Sequence, residues 1–123
     1  MGAQWETVWE FRTARFAVTL AVAPEDNDPA GHFEDADDVT FAREGGWHWF
    51  MARVRVAFID ADNPKNWAMT RERVLGEDYL GACSYHGWAD FKSGGYFRDM
   101  VSEAITEARG SLARMCASVK AEV

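Results

Sequence analysis

The sequence predicts an α+β domain: an antiparallel sheet of four or five strands packed against one long C-terminal helix, with a short helix after an acidic loop. Three observations carry this. Apolar residues alternate with period two in the stretches 5–12, 15–23 and 47–59. From Tyr96 onward they recur at three- and four-residue steps instead. Strands therefore come first and the long helix last, and a single helical stripe has to cover one face of the sheet. At 123 residues the chain suits one domain, spanning 1–123, with a core that needs no staples.

Taken in order, WETVWEFR (5–12) sets Trp5, Thr7, Trp9 and Phe11 on one side of an extended chain. RFAVTLAVA (15–23) puts Phe16, Val18, Leu20 and Val22 on one face and Ala17, Thr19, Ala21 and Ala23 on the other. The break at Thr13-Ala14 suggests a hairpin, without the Asn-Gly or Asp-Gly of the tightest turns. Pro24 ends the second strand. Asp35 is placed to N-cap a helix over roughly 36–44, with Asp37 and Asp38 in its first turn and Gly45-Gly46 as its stop. WHWFMARVRVAFI (47–59) is the strongest strand. Its even positions read as core, and its odd positions change from aromatic to cationic. A turn follows at Asn63-Pro64, then expected strands over 66–75 and 79–85 and a single turn at WADF (88–91). The last helix is expected from Tyr96, with Ser93 or Asp90 serving its entrance. Gly110 inside it costs about 1 kcal/mol against alanine, which predicts a close contact or a slight bend there.

Composition narrows function. The formal charge is −7, which argues against non-specific binding to nucleic acid or to an anionic membrane surface and favours basic partners. Two cysteines, Cys83 and Cys116, fall short of a disulfide framework. The start MGAQWETVWEF lacks the basic and apolar regions of a signal peptide, and no stretch has the length of a membrane span. Free thiols in a reducing cytoplasm are the expectation.

Residues 24–38, PEDNDPAGHFEDADD, hold seven carboxylates: Glu25, Asp26, Asp28, Glu34, Asp35, Asp37 and Asp38. No Lys or Arg occurs from Phe16 through Ala42. One reading is a calcium loop, since Asp26, Asp28, Gly31, Glu34 and Asp37 fall at ligand-like spacing. Against it, Ala30 stands at a ligand position, the final position is Asp in place of Glu, Pro29 interrupts the loop, and a strand precedes it. A second reading is a solvated loop. A third is an acidic surface, in which crowded carboxylates act as a collective field within a Debye length of about 8 Å and steer association with a basic groove. Trp47 and Trp49 would add apolar anchors if exposed; otherwise the N-terminal segment or the helix covers them.

Chemistry elsewhere is thin. Cys83 and His86 have zinc-like spacing, with Cys116 and His48 or His32 as further ligands, but both cysteines sit on apolar stripes and read first as small core residues. Cys83 with His86 is also the compact candidate for nucleophilic catalysis, although strand geometry would separate them. A carboxylate pair drawn from Asp60, Asp62, Glu72 or Glu77 is the other enzymatic alternative, and no phosphate-binding, GxSxG or HExxH motif is present. The expectation is a non-enzymatic protein with no cofactor and no metal.

The runs GGYFRDMVSEAITEAR (94–109), YLGACSY (79–85) and VWEFRTARFAVTLAV (8–22) resemble small uncharacterised proteins of bacterial phages and other mobile elements. In size, acidity and lack of catalytic motifs the chain is similar to the inhibitors of host defence found there, among them anti-CRISPR proteins. That resemblance implies stoichiometric binding, as monomer or homodimer, to a host protein or ribonucleoprotein complex with a basic surface, by nucleic-acid mimicry and without direct nucleic-acid or membrane contact. An oligomeric structural or assembly subunit is the remaining alternative.

Overall fold

The computed structural model describes residues 4–59 and 73–122. Four strands form one antiparallel sheet in sequence order: β1 (Glu6–Arg12), β2 (Phe16–Pro24), β3 (Phe50–Phe58) and β4 (Val74–Cys83). The short helix α1 (Ala36–Arg43) joins β2 to β3, and α2 (Trp88–Ser93) leads into α3 (Gly95–Glu122). The predicted α+β architecture is what the chain adopts, with four strands in the sheet among the described residues.

The β1–β2 hairpin closes without glycine because Thr13 supplies the missing geometry. Its backbone N–H donates to the Phe16 carbonyl at 2.8 Å, and its hydroxyl accepts from Phe16 N–H at 3.1 Å. The β2–β3 register then pairs Val18 with Val56, Leu20 with Val54 and Val22 with Ala52. These side chains share the helix-facing side. Leu20, Ala52 and Val54 are fully buried, joined from α3 by Phe97, Met100, Ala104 and Ala108 and from α2 by Phe91.

Strict alternation fails in β1. Thr7 pairs with Ala21 but Trp9 pairs with Leu20, so Val8 is an extra residue and the side-chain parity switches. Trp9 packs edge-on against Phe97 of α3 at 5.3 Å, whereas Trp5 lies on the opposite face, its ring 4.3 Å from the Arg53 guanidinium carbon. The four residues expected on one side are thus divided between two. On the same second face Arg55 Nε donates to Glu77 Oε2 at 2.8 Å.

β3 begins at Phe50, three residues after its predicted start, because Gly45 and Gly46 both have positive φ and turn Gly46–His48 into a 3-10 segment. The expected strand over 66–75 lies mostly outside the described residues; β4 takes up its end and the 79–83 segment as one strand. A second bulge sits there, since Phe50 pairs with Cys83 but Ala52 with Leu80, and Ala82 adopts φ 53°.

Helix α3 lies over β4 and β3. Neither proposed entrance residue serves it: Asp90 accepts from His86 N–H at 3.1 Å, across the start of α2, and Ser93 donates to the Asp90 carbonyl. The close approach expected at Gly110 is not there either, since a Cβ at Gly110 would meet only the Arg114 guanidinium at 3.3 Å. It occurs on the facing strand. A Cβ at Gly76 would fall on the Ala104 carbonyl oxygen and 2.7 Å from the Ala108 nitrogen. Ser111 completes the junction, its hydroxyl donating to the Leu75 carbonyl at 2.8 Å.

Candidate partner-binding surface

The acidic segment is held in place by its own residues and by both neighbouring strands. Glu25 follows β2 directly, and its Oε1 accepts from the backbone N–H of Ala82 at 2.7 Å, on the β4 bulge. Asp28 Oδ1 accepts from Ala30 N–H at 3.0 Å, capping a 3-10 turn that opens with the buried Pro29. That hydrogen bond is the main reason its carboxyl sits below the usual range, with Arg43, 3.5 Å away, adding a smaller pull. Asp35 Oδ1 accepts from Asp37 N–H at 2.8 Å and caps α1, as the sequence predicts. Trp49 Nε1 donates to the Asn27 carbonyl at 2.7 Å, and its ring meets His32 and Phe33 at 5.6 Å each.

Three of the seven carboxylates, Glu25, Asp28 and Asp35, are therefore turned onto backbone N–H groups of their own surroundings. The side chains of Asp26, Glu34, Asp37 and Asp38 are exposed and hold neither ion pair nor hydrogen bond among the described residues. The tryptophans stand differently from the exposed anchors considered above. Trp49 is only 6% exposed and acts as a clamp on the loop. Trp47 is half-buried, edge-on to Phe50 at 4.6 Å and tilted over Phe91 at 6.5 Å. Aromatic spacing just ahead of β3 signals both roles equally well, because burial depends on what the loop places over it.

The chemical alternatives do not assemble among the described residues. Of the carboxylate-pair candidates, Asp60, Asp62 and Glu72 lie outside the described residues, as does the Asn63-Pro64 turn, and Glu77 accepts from Arg55 Nε. No group of three His, Cys, Asp or Glu side chains close enough to hold a metal occurs among the described residues. Cys83 is buried, its thiol donating to the Leu80 carbonyl at 3.3 Å, and burial, followed by the nearby Glu25 charge, pushes that thiol up to about 12. An activated nucleophile needs the opposite shift. His86 is exposed and packs edge-on against Phe41 at 4.8 Å. Cys116, read from the sequence as a core residue, is exposed, because α3 has left the sheet by that point. A thiol reagent should accordingly modify one cysteine per native chain, Cys116, and two after denaturation. Mass spectrometry of the intact protein checks this, and rapid native labelling of Cys83 would contradict its burial.

Sequence reasoning missed an apolar groove of about 600 Å³ between the β1–β2 hairpin and α3, lined by Trp9, Phe11 and Val18 on one side and Ile105 and Leu112 on the other. The signal for it was present: an apolar stripe on α3 that outruns the sheet. No described helix is long and apolar enough to cross a membrane. Comparison with known proteins gives no match to a family model, a curated protein or a solved structure.

Proposed function

We propose that the protein is a stoichiometric inhibitor, of phage or mobile-element origin, that occludes a basic surface on a host defence complex of the CRISPR-Cas type in the bacterial cytoplasm. Asp26, Glu34, Asp37 and Asp38 stand where nucleic-acid phosphates would otherwise lie. The observation that carries this reading is the division of labour within the acidic segment. One set of carboxylates fixes the loop, and the other is left exposed without a cation. Fixing the loop beforehand lowers the ordering cost of binding, so the exposed charges act from a defined surface. Their field also raises the association rate with a cationic partner and is weakened by salt.

The test uses purified CRISPR-Cas effector complexes as baits, with binding measured between about 0.05 and about 0.5 M salt. The combined variant Asp26→Asn, Glu34→Gln, Asp37→Asn and Asp38→Asn should bind at least about tenfold more weakly and with a flatter salt dependence. It leaves Glu25, Asp28 and Asp35 in place, so the loop keeps its hydrogen bonds. Wild-type binding that is salt-independent, or a variant that binds as well as wild type, would overturn the reading.

A further inference from the structure

We propose that the groove between the β1–β2 hairpin and α3 is the seat of a second copy of this chain, whose C-terminal helical segment lies antiparallel against α3. Helix α3 covers β4 and β3 and leaves the helix-facing side of the hairpin open, where Phe11 is 56% exposed although it points to the same side as the buried Leu20. Among the described residues, the only polar side chains lining the groove are Thr13 and Arg109. An occupant must therefore be apolar along its length.

The chain itself carries such an occupant. At 28 residues α3 is about 42 Å long. Every described residue from 113 to 121 is exposed, and within that overhang Met115 is 56% and Val119 62% exposed. Val101, Ile105, Ala108, Leu112, Met115 and Val119 follow one another at steps of four, three, four, three and four. That is the a/d spacing of a coiled-coil seam. Its first four members line the groove and its last two form the exposed overhang.

The seam is symmetric about position 110. Laid antiparallel on a copy of itself, it sets Val101 opposite Val119 and Ile105 opposite Met115, each layer joining an a position to a d position, while Ala108, only 4% exposed and packed against β4, forms just the floor of the groove opposite Leu112. Each chain then offers one overhang and one groove, and both are filled at once, which closes the assembly as a two-fold dimer. The overlap from 101 to 119 is roughly 28 Å long. A helix about 10 Å across, seated along that length on both α3 and the hairpin, covers on the order of 600 Å² on each chain. The total, on the order of 1,200 Å², reaches the lower bound of a specific stable interface. The acidic loop leaves β2 at the opposite end from the Thr13 turn, about 30 Å away along nine residues of strand, and stays clear of this contact.

Sedimentation equilibrium of the full chain should give twice the 13.9 kDa monomer mass at tens of micromolar. Met115→Glu with Val119→Glu should raise the dimer dissociation constant at least about thirtyfold, and Phe11→Glu, from the groove side, should do the same. All three positions are exposed, so circular dichroism should report an unchanged fold. With Cys116→Ser in the background, the pair Ile105→Cys and Met115→Cys should cross-link between chains. A wild-type monomer, an open-ended series of oligomers, or a dimer that survives both sets of glutamates would overturn the proposal.

Discussion

Replacing Gly76 by valine is expected to destabilise the protein by at least about 3 kcal/mol and to lower its melting temperature by roughly 10 °C or more. The new Cβ falls on the Ala104 carbonyl oxygen and 2.7 Å from the Ala108 nitrogen. Both atoms belong to the α3 backbone, so no change of rotamer can relieve the overlap. The helix has to lift from β4, which opens the packing of Met100, Ala104 and Ala108 and strains the Ser111 hydrogen bond to Leu75. Gly110→Ala is the control. Its Cβ meets only the end of the flexible Arg114 side chain, and the helix gains up to about 1 kcal/mol of propensity. Urea denaturation of the two variants beside wild type checks the contrast. Equal stabilities would mean that the strand and helix do not approach as described.

The second large effect is expected for Phe91→Ala, a loss of about 3–5 kcal/mol. Phe91 is fully buried at the point where α2, β3 and the start of α3 converge. Its ring meets Tyr85 at 5.0 Å, Phe50 at 5.6 Å, Phe97 at 5.9 Å and Trp47 at 6.5 Å. Truncation removes the apolar transfer term and leaves a cavity among rigid rings that cannot collapse to fill it. Against a typical total of about 5–15 kcal/mol, this takes the domain close to its folding limit. The denaturant midpoint should fall with little change in slope; a loss below about 1 kcal/mol would show that the aromatic cluster is not the centre of the core.

The sequence reading succeeded where one local rule governs a segment. Period-two alternation in 15–23 and 47–59 named both faces of β2 and most of β3, because successive side chains of a strand point to opposite faces of the sheet. Asp35 announced the start of α1, because an N-cap is satisfied within three residues. It failed where two rules compete. Parity in β1 breaks at Val8, since the bulge answers to the β2 register and not to local pattern. Trp49 carried the composition of a binding anchor, yet it is buried under the loop through its bond to Asn27. Glu25 looked like one more surface carboxylate, yet it holds the Ala82 N–H some fifty-seven residues away.

The order and kind of the elements, the surplus of carboxylates between β2 and β3, and the long apolar stripe of α3 are properties of the sequence alone. Each rests on spacing between residues close along the chain. Only the tertiary structure decided which carboxylates stay exposed, which cysteine is buried, where a helix backbone needs glycine beneath it, and where the apolar stripe runs out of sheet. Those outcomes depend on packing between segments far apart in sequence, and the periodicity of one segment carries no information about which partner will cover it.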